Sequence, residues 1–478
     1  MSIQNTFQRF ASPSERRVIS REDLGFYHAV VVGAVYEFPK EVLVDSPSTF
    51  FQPLRRCIET CPHLCVVVRD AHTEKPFYER VPHIDLEDHV SIVKNNSPSE
   101  ELLAIENALA AILDEPFPSG IPSWKIVILP LQSSRCFVAF AFSHAIGDGP
   151  TGAAFHRKFL TACKDSSRMN IPAMRVVKTL DMQLPSPFDT AERLPISWVY
   201  LLAPLIISLL PTLITKLFGL QATASTTNAN TWTGSLISND PQGSRTMIKV
   251  REIDAVHLEK ALVMARKHDA KLTGTMHQLI VRALSKIIPN PNITDFVSQT
   301  PINMRRSIGI SNEEMGNFFS GNYMVYPRLD SSTPFSQENW EGACVATRKL
   351  AESASTLQDQ PIGLLRYLSS IRKWTLENLG RERDCSFELS NIGTVDGSQR
   401  ETSNVGETHQ IRLMKMVFAQ PGHITGPPLC FNIVSVRGGS LVYTITWQVG
   451  ALGVPDGDEE RFVDDICSTL ATDFENIQ

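Results

Sequence analysis

The chain reads Ser143-His144-Ala145-Ile146-Gly147-Asp148-Gly149 at its most informative point. This stretch follows the strand-like run Cys136 to Phe142 and precedes a helical pattern with Pro150 at its first predicted position. We therefore expect His144 at the end of a strand, where its side chain can face a cavity. An imidazole there can take a proton near neutral pH, because its unperturbed pKa is about 6.5. A histidine and an aspartate at this spacing also occur by chance, so the motif needs support from elsewhere.

Length and composition predict a globular protein with two domains. The 478 residues are 42% hydrophobic and 20% charged, and a chain of this length exceeds one ordinary core. The net charge of -6, with no basic cluster longer than Arg305-Arg306, gives no reason to expect a nucleic-acid partner. The stretch Met1 to Ser20 has no continuous apolar run, which argues against a secretory signal and for a cytoplasmic location.

The nine cysteines predict free thiols in a reducing compartment. Cys57, Cys61 and Cys65 are spaced by four, but this is helical spacing that runs into a strand and lacks a second pair of ligands. We expect these three side chains to pack in the interior, and we expect no metal site.

Strand and helix patterns interleave in both halves of the chain, which predicts a mixed α/β (α+β) fold. We expect a first domain over 1-170 that carries the histidine motif, a crossover linker over 171-242 and a second domain over 243-478. The sequence contains no G-x-G-x-x-G, no Walker sequence and no G-x-S-x-G elbow. Their absence argues against the common nucleotide-binding and hydrolase classes.

The linker contains a hydrophobic segment over 194-220, uncharged from Leu194 to Thr215. That length could span a bilayer, but Pro204 and Pro211 are expected to break it into short pieces. We expect a crossover segment packed on the protein. Peripheral contact with a membrane, such as the endoplasmic reticulum or a lipid droplet, and a true span remain open alternatives.

Further motifs accompany the histidine in a characteristic order. They are Glu15-Arg16-Arg17, Leu24-Gly25-Phe26-Tyr27, Cys61-Pro62-His63-Leu64, the H-x-x-x-D-G of His144 to Gly149, Thr300-Pro301-Ile302-Asn303-Met304-Arg305, Met315-Gly316-Asn317-Phe318 and Phe387 to Gly393. With these motifs the chain resembles the fungal alcohol acetyltransferase family. That family belongs to the CoA-dependent acyltransferase superfamily, with plant BAHD acyltransferases and peptide-synthetase condensation domains. The lack of D-F-G-W-G favours the fungal branch over the plant enzymes.

The resemblance implies two chloramphenicol-acetyltransferase-like domains with mixed sheets and an active-site tunnel at their interface. Acetyl-CoA or another acyl-CoA would enter from one face as co-substrate, and a small-molecule alcohol or amine acceptor from the other. The most direct function is O-acetylation of an alcohol or of a secondary-metabolite hydroxyl. A complete tunnel within one chain implies a monomer.

Three residues are expected to act on the reacting atoms. His144 would accept the hydroxyl proton as the oxygen attacks the thioester, and would return it to the leaving thiolate. Ser390 and Asn391 would stabilise the oxyanion through a side chain or a backbone N–H.

Five further residues are expected to support the site or to contact its substrates. Asp148 is predicted to be structural, paired with an arginine that fixes the loop, and Arg305 is one candidate. Arg305 and Asn303 would alternatively line the CoA channel, together with Gly149. His423, in the loop Gln420 to Pro428, is the other histidine with a prospect of touching substrate.

Three other functions remain compatible with the sequence. The same base would serve an N-acyltransferase, and the donor could be a carrier-protein thioester, as in condensation domains. A non-enzymatic alternative is a membrane-associated binding protein with a vestigial site.

Overall fold

The computed structural model of the protein describes residues 6–132, 134–168, 174–209, 227–240, 243, 245–397, 411–455 and 457–477. Within them the strands are β1 (Phe7–Phe10), β2 (Val30–Glu37), β3 (Val66–Arg69), β4 (Phe77–Arg80), β5 (His83–Asp85), β6 (Val90–Ile92), β7 (Trp124–Pro130), β8 (Arg135–Phe142), β9 (Val176–Lys178), β10 (Thr246–Ile253), β11 (Asp295–Asn303), β12 (Phe319–Pro327), β13 (Phe387–Val395), β14 (Arg412–Ala419), β15 (Leu429–Val436) and β16 (Leu441–Gln448). The helices are α1 (Pro13–Asp23), α2 (Ser48–Thr60), α3 (Glu101–Leu113), α4 (Gly149–Arg168), α5 (Trp198–Leu209), α6 (Ala255–Lys267), α7 (Leu272–Ile287), α8 (Gln337–Ser355), α9 (Ile371–Leu376) and α10 (Glu459–Glu475).

Two mixed sheets form the framework. One has the order β14-β2-β8-β7-β6 and the other the order β10-β16-β15-β13-β11-β12. Both combine antiparallel pairs with parallel ones: β6 runs parallel to β7, and β13 runs parallel to β11 and β15. The predicted mixed α/β class is therefore confirmed.

The strand that delivers the histidine motif, β8, is buried on both faces. Val138, Phe140 and Phe142 point into the core against α2 and α4, whereas Phe137 and Ala139 point into the core against α3. Alternation along the strand puts successive side chains on opposite faces, so a strand covered on both faces needs an unbroken apolar run. The polar residues begin where the strand leaves the sheet, which places His144 at its edge.

The strand β14 does not follow the predicted division of the chain at residue 243. It pairs antiparallel with β2, from Arg412 opposite Glu37 to Ala419 opposite Val31, and so completes the first sheet. The range 243-478 therefore contributes a strand to the sheet of the first half. Pairing satisfies the backbone groups at an edge of β2, and hydrophobic periodicity cannot state which sheet a strand joins.

The linker contains more regular structure than predicted. The strand β9 pairs with β5, and the helix α5 continues through Pro204 instead of ending there. Residues 210–226, which hold Pro211 and the rest of the hydrophobic segment, lie outside the described residues. In the part of the chain that the structure describes, no helix is long and apolar enough to cross a membrane.

Two helix starts differ in how well the local sequence matches the structure. Asp254 caps α6, and its Oδ1 accepts from Val256 N and His257 N at 2.9 Å. Ser97-Pro98-Ser99-Glu100 has the residue pattern of a capping box, but α3 begins at Glu101 without a side-chain cap. Glu100 N instead donates to Ser97 O, which closes a separate turn before the helix.

Candidate active site

His144 lines a cavity of about 560 Å³ whose walls come from both main sheets. The first sheet contributes residues such as Val30 and Phe418, and the second contributes Ser320 and Glu388. The turn between β8 and α4 therefore presents the histidine to a space that neither half of the chain forms alone.

Asn317 sets the orientation and the tautomer of His144. Its side-chain Nδ2 donates to His144 O at 2.8 Å, so its Oδ1 faces the imidazole as an acceptor. His144 Nδ1 lies 3.1 Å from that oxygen and must carry the proton in this bond. The neutral ring then has its unprotonated nitrogen at Nε2, which is the atom that can accept a proton from a substrate.

Aromatic rings flank this imidazole on two sides. The ring centroid of Tyr27 lies 5.7 Å from that of His144, and that of Phe319 lies 5.3 Å away. Burial is the main cause that lowers the pKa of His144 to about 4, and the nearby Arg21 and Arg17 lower it further. The imidazole is therefore neutral at pH 7, which is the state that a general base requires.

Asp148 is committed to a buried ion pair. Its two carboxylate oxygens accept from Arg305 Nη1 at 2.7 Å and Nη2 at 2.8 Å, and both side chains are almost wholly buried. Burial by itself would raise the pKa of Asp148, but the Arg305 charge and the hydrogen bonds from Arg305, Phe318 N and Thr151 outweigh it and leave the pKa below its ordinary value. The carboxylate has no free oxygen directed at His144.

Arg305 lies outside the cavity wall. Its Nε donates to Glu314 O at 3.2 Å, and its Nη2 also donates to Gly316 O at 3.0 Å. Of the two arrangements considered for this arginine, the structure has the pair with Asp148. Its guanidinium is enclosed, and the alternative role of Arg305 in a CoA channel stays a prediction.

Gly149 is required by the close approach of the two halves. A Cβ on this residue would stand 2.6 Å from Cγ2 of Ile392, on β13, and 3.1 Å from Cζ of Phe418, on β14. These distances are shorter than van der Waals contact, so a side chain here would push the start of α4 away from the second sheet. Gly149 itself lines the cavity.

Ser390, Asn391 and Asn303 also line the cavity, so the structure brings them together with His144. The Asn391 side chain is already engaged, since Nδ2 donates to Thr273 Oγ1 at 3.1 Å and Oδ1 accepts from Gly393 N at 2.8 Å. A smaller cavity of about 230 Å³ shares Asn303 and Asn391 with the main one. These two residues therefore stand where the two spaces meet.

Sequence patterns missed several residues of the site. In the sequence, Asn317 and Tyr27 belong to motifs of the resemblance, but the motifs predict no role for either side chain. Arg21, Glu388 and Gln420 were not singled out, although all three line the cavity. The sole local signal for Asn317 was its place in Met315-Gly316-Asn317-Phe318, because nothing in the spacing indicates contact with a histidine far away in the chain.

Within the described ranges, no three His, Cys, Asp or Glu side chains lie close enough together to hold a metal ion. Cys57, Cys61 and Cys65 are free and buried. Cys65 Sγ lies 3.6 Å from Ile58 O, and Cys61 Sγ accepts from Lys158 Nζ at 3.4 Å. These thiols pack in the core beneath α2, as predicted.

Solved structures share this fold over nearly the whole chain. The trichothecene 15-O-acetyltransferase TRI3 from Fusarium sporotrichioides has a TM-score of 0.67 at 12% identity, over 99% of this chain and 98% of that one. The first condensation domain of the calcium-dependent antibiotic synthetase has a TM-score of 0.59 at 12% identity, over 97% and 96%. The fold is that of the two-lobed, chloramphenicol-acetyltransferase-like acyltransferases, as predicted.

Sequence comparison adds the family. An uncharacterized protein of Schizosaccharomyces pombe is 22% identical over 449 residues, 92% of each chain. A probable alcohol acetyltransferase of Aspergillus fumigatus is 21% identical over 415 residues, 81% of this chain and 82% of that one. The family model described as alcohol acetyltransferase matches residues 67–470. This match spans most of the chain, which therefore belongs to the alcohol acetyltransferase family.

Proposed function

We propose that this acyltransferase moves an acetyl or other short acyl group from CoA to the hydroxyl of a small-molecule acceptor, with His144 as the general base. One observation carries the proposal above all. Asn317 holds the proton of the neutral His144 ring at Nδ1 and leaves Nε2 for the substrate, inside a cavity built by both halves.

The chemistry follows from that tautomer. Nε2 takes the hydroxyl proton while the oxygen attacks the thioester carbon, and a tetrahedral oxyanion forms. The carbon–sulfur bond then breaks, and the imidazolium at His144 returns the proton to the CoA thiolate. Both substrates meet in one cavity, so no acyl-enzyme is needed. Tyr27 and Phe319 beside the base reduce its access to water, which would compete with the acceptor for the acyl group.

Ser390 is the stronger of the two oxyanion candidates. Both Ser390 and Asn391 line the cavity, but the Asn391 side chain is occupied by Thr273 and Gly393. A hydroxyl or a backbone N–H from β13 would then face the developing charge from the wall that belongs to the second sheet.

Asp148 acts in this scheme as a structural support. Its bonds to Arg305, Thr151 and Phe318 N join the turn that carries His144 to the segment that carries Asn317. The carboxylate thereby fixes the position of His144 relative to the side-chain amide of Asn317.

The smaller cavity is the proposed route for the acyl-CoA. Lys271 and Thr273, at the start of α7, line it, and Asn303 connects it to the main space. A lysine beside a helix N-terminus offers positive charge and backbone N–H groups to a phosphate. Gly149 lines the main cavity beside His144 and is the third residue proposed to contact the acyl-CoA.

We propose that the protein works as a monomer in the cytoplasm and that α5 makes a peripheral contact with a membrane. Trp198 and Val199 at the start of that helix are 76% and 78% exposed, which supports an apolar contact surface there.

Turnover with acetyl-CoA across a panel of alcohols and amines, followed by release of free thiol, tests the proposal. We expect thiol release with hydroxyl acceptors. Release with amines alone would replace O-acylation by N-acylation, and turnover with a carrier-protein thioester but not with acetyl-CoA would change the donor. No release with any acceptor and either donor would contradict the proposed function.

His144→Ala is expected to lower kcat by about 10²–10⁴-fold, because it removes the only proton acceptor proposed for the hydroxyl. His72→Ala is the matched control, since His72 is exposed on the loop between β3 and β4. Unchanged turnover in His144→Ala would contradict the role of His144 as the general base.

A further inference from the structure

The cavity contains a second polar group, which the proposed chemistry does not use. Arg21, in the last turn of α1, lines the cavity and is only 6% exposed. Its Cζ lies over the ring of Tyr27, 4.7 Å from the centroid. Within the described residues, its Nε and Nη2 are buried and have no hydrogen-bond acceptor. A buried guanidinium without an acceptor is costly, so this group is suited to receive one from a ligand.

The polar neighbours of Arg21 are bonded to each other. Tyr27 OH donates to Gln420 Oε1 at 2.8 Å, and Gln420 Nε2 donates to Glu388 Oε1 at 2.8 Å and to Asn432 Oδ1 at 2.7 Å. Burial raises the pKa of Glu388, and the hydrogen bond from Gln420 and the charges of Arg21 and Arg17 oppose that rise. Among the described ion pairs none joins Glu388 to Arg21. The positive charge therefore faces the cavity without a bonded carboxylate.

His423 also contacts the ring of Tyr27 and has an unused polar atom as well. The two ring centroids are 5.5 Å apart, and His423 Nε2 is buried without a partner among the described residues. Arg383 Nη1 donates to the carbonyl oxygens of His423, Ile424 and Gly426, at 3.1, 3.1 and 2.6 Å, and so holds this loop in place. The fold thus presents two unsatisfied groups around one aromatic ring.

We infer that Arg21, assisted by His423, binds a carboxylate of the acceptor, so that the preferred acceptor is a hydroxy acid and not a simple alcohol. The inference rests on the proposed function. Tyr27 is the spacer, because its ring lies 5.7 Å from the His144 ring and 4.7 Å from Arg21 Cζ. The hydroxyl and the carboxylate of the acceptor must therefore be several bonds apart.

The phosphates of CoA are the other source of anionic oxygen atoms for Arg21. Their distance from the thioester argues against them as its ligand. Arg21 is one aromatic ring away from the base at which the thioester reacts. The pantetheine arm separates the thioester from the phosphates by many bonds, so they lie far from His144 when the acyl carbon is in place. Arg17, which also lines the cavity, adds positive charge on the same side and favours an anion there.

Matched acceptors test the inference in the unmodified protein. The probes are ω-hydroxy acids of increasing length and their methyl esters, which differ only in charge at the far end. We expect kcat/KM for the acid of suitable length to exceed that of its ester by about 10- to 100-fold, the strength of a charge-assisted bidentate bond. Equal values at every length would overturn the inference.

Variants then assign the preference to Arg21. Arg21→Met should reduce the ratio of kcat/KM for acid and ester towards one. Arg21→Lys keeps the positive charge but loses the bidentate geometry of the guanidinium, so it should retain part of the preference for the acid. Arg56→Met, the same change on the exposed face of α2, should leave the ratio as it is. A ratio that survives in Arg21→Met would contradict the assignment.

Two further results separate the possible failures. Calorimetric titration with CoA should give the same Kd for the wild type and Arg21→Met, and a markedly weaker Kd in the variant would assign Arg21 to the donor instead. Absence of thiol release with all acids, esters and alcohols would refute the proposed function itself, whereas transfer without acid preference would refute this inference alone.

Discussion

The neighbours of His144 set the protonation state and the tautomer of this proposed base. Burial lowers its pKa to about 4, and Asn317 holds one nitrogen as a donor. The free protein therefore presents a neutral imidazole of defined tautomer throughout the physiological pH range. The burial that keeps the ring neutral also weakens it as a base, so the developing imidazolium must gain stabilisation as the proton moves.

The pH dependence of kcat/KM should report this environment. A group whose pKa is lowered is neutral above that pKa and is inactivated as pH falls through it. We expect kcat/KM to stay level from about pH 8 to pH 5, and its acid limb to lie nearer the pKa of about 4 than the ordinary value of about 6.5. The measurement is kcat/KM over the pH range in which circular dichroism shows an unchanged fold. A midpoint near 6.5 would show that His144 is not desolvated.

Asn317→Leu should lower kcat by about 10- to 100-fold with little change in KM, because the ring loses its orientation but the cavity remains. Asn317→Asp keeps an oxygen beside Nδ1 and adds a negative charge, so it should move the acid limb to higher pH. A purely structural residue would not move that limb. Asn95→Leu is the matched control, since Asn95 Nδ2 donates to Pro130 O at 3.1 Å, away from the cavity.

At the scale of elements, one ion pair joins the turn after β8 to the chain that follows β11. Asp148 and Arg305 are 157 residues apart in sequence and bond through both guanidinium nitrogens. Gly316 N, just before Asn317, adds a bond to Thr151 Oγ1 at 3.1 Å. The turn that carries His144 and the segment that orients this residue are therefore held as one unit.

Asp148→Asn should destabilise the protein by about 3–5 kcal/mol, because it leaves the buried charge of Arg305 without its partner. Activity should fall together with stability. Thermal or urea unfolding measures the first, and thiol release measures the second. Asp85→Asn, which breaks the exposed pair with Arg175, should change stability much less. A normally stable Asp148→Asn protein without turnover would contradict the structural role.

At the scale of the whole molecule, the two sheets share one interior. The strand β14 completes the first sheet, and its residues Val417 and Ala419 pack with Val442 of β16 in the second.

The interior of the protein also buries several histidines in their neutral form. His156 Nε2 donates to Val32 O at 2.8 Å, and its Nδ1 lies 2.9 Å from Tyr36 OH. Such a ring cannot accept a proton without loss of one of these bonds.

Stability should therefore fall in mild acid. Burial lowers the pKa of His63, His144 and His156 to about 4 and that of His277 to about 3. Between the unfolded value of about 6.5 and these values the unfolded chain binds more protons than the native one, so stability is full above 6.5 and is lost as pH decreases. Each such histidine contributes roughly 1.4 kcal/mol per pH unit in that window.

Urea midpoints between about pH 7 and pH 5 measure this loss. His156→Gln, which cannot titrate, should reduce the slope with pH by about one proton, whatever it does to stability at neutral pH. A stability that is flat over this range would contradict the burial of these groups.

The sequence alone determined what depends on neighbouring residues. The apolar run of β8 predicted a strand with His144 at its end, and that strand is buried on both faces. Such a run can be recognised from neighbouring residues, because burial on two faces requires apolar side chains at successive positions. Interleaved patterns of this kind were sufficient for the fold class.

Only the tertiary structure decided which distant segments meet. Asn317 lies 173 residues beyond His144, and no periodicity connects them. Their contact, the pair of Arg305 with Asp148 and the place of Arg21 in the cavity depend on strand order and register across two sheets. Short-range patterns specify which face of a strand is buried but not which strand lies next to it. For that physical reason the base could be found in the sequence, whereas its orienting amide and the arginine proposed to bind the acceptor could not.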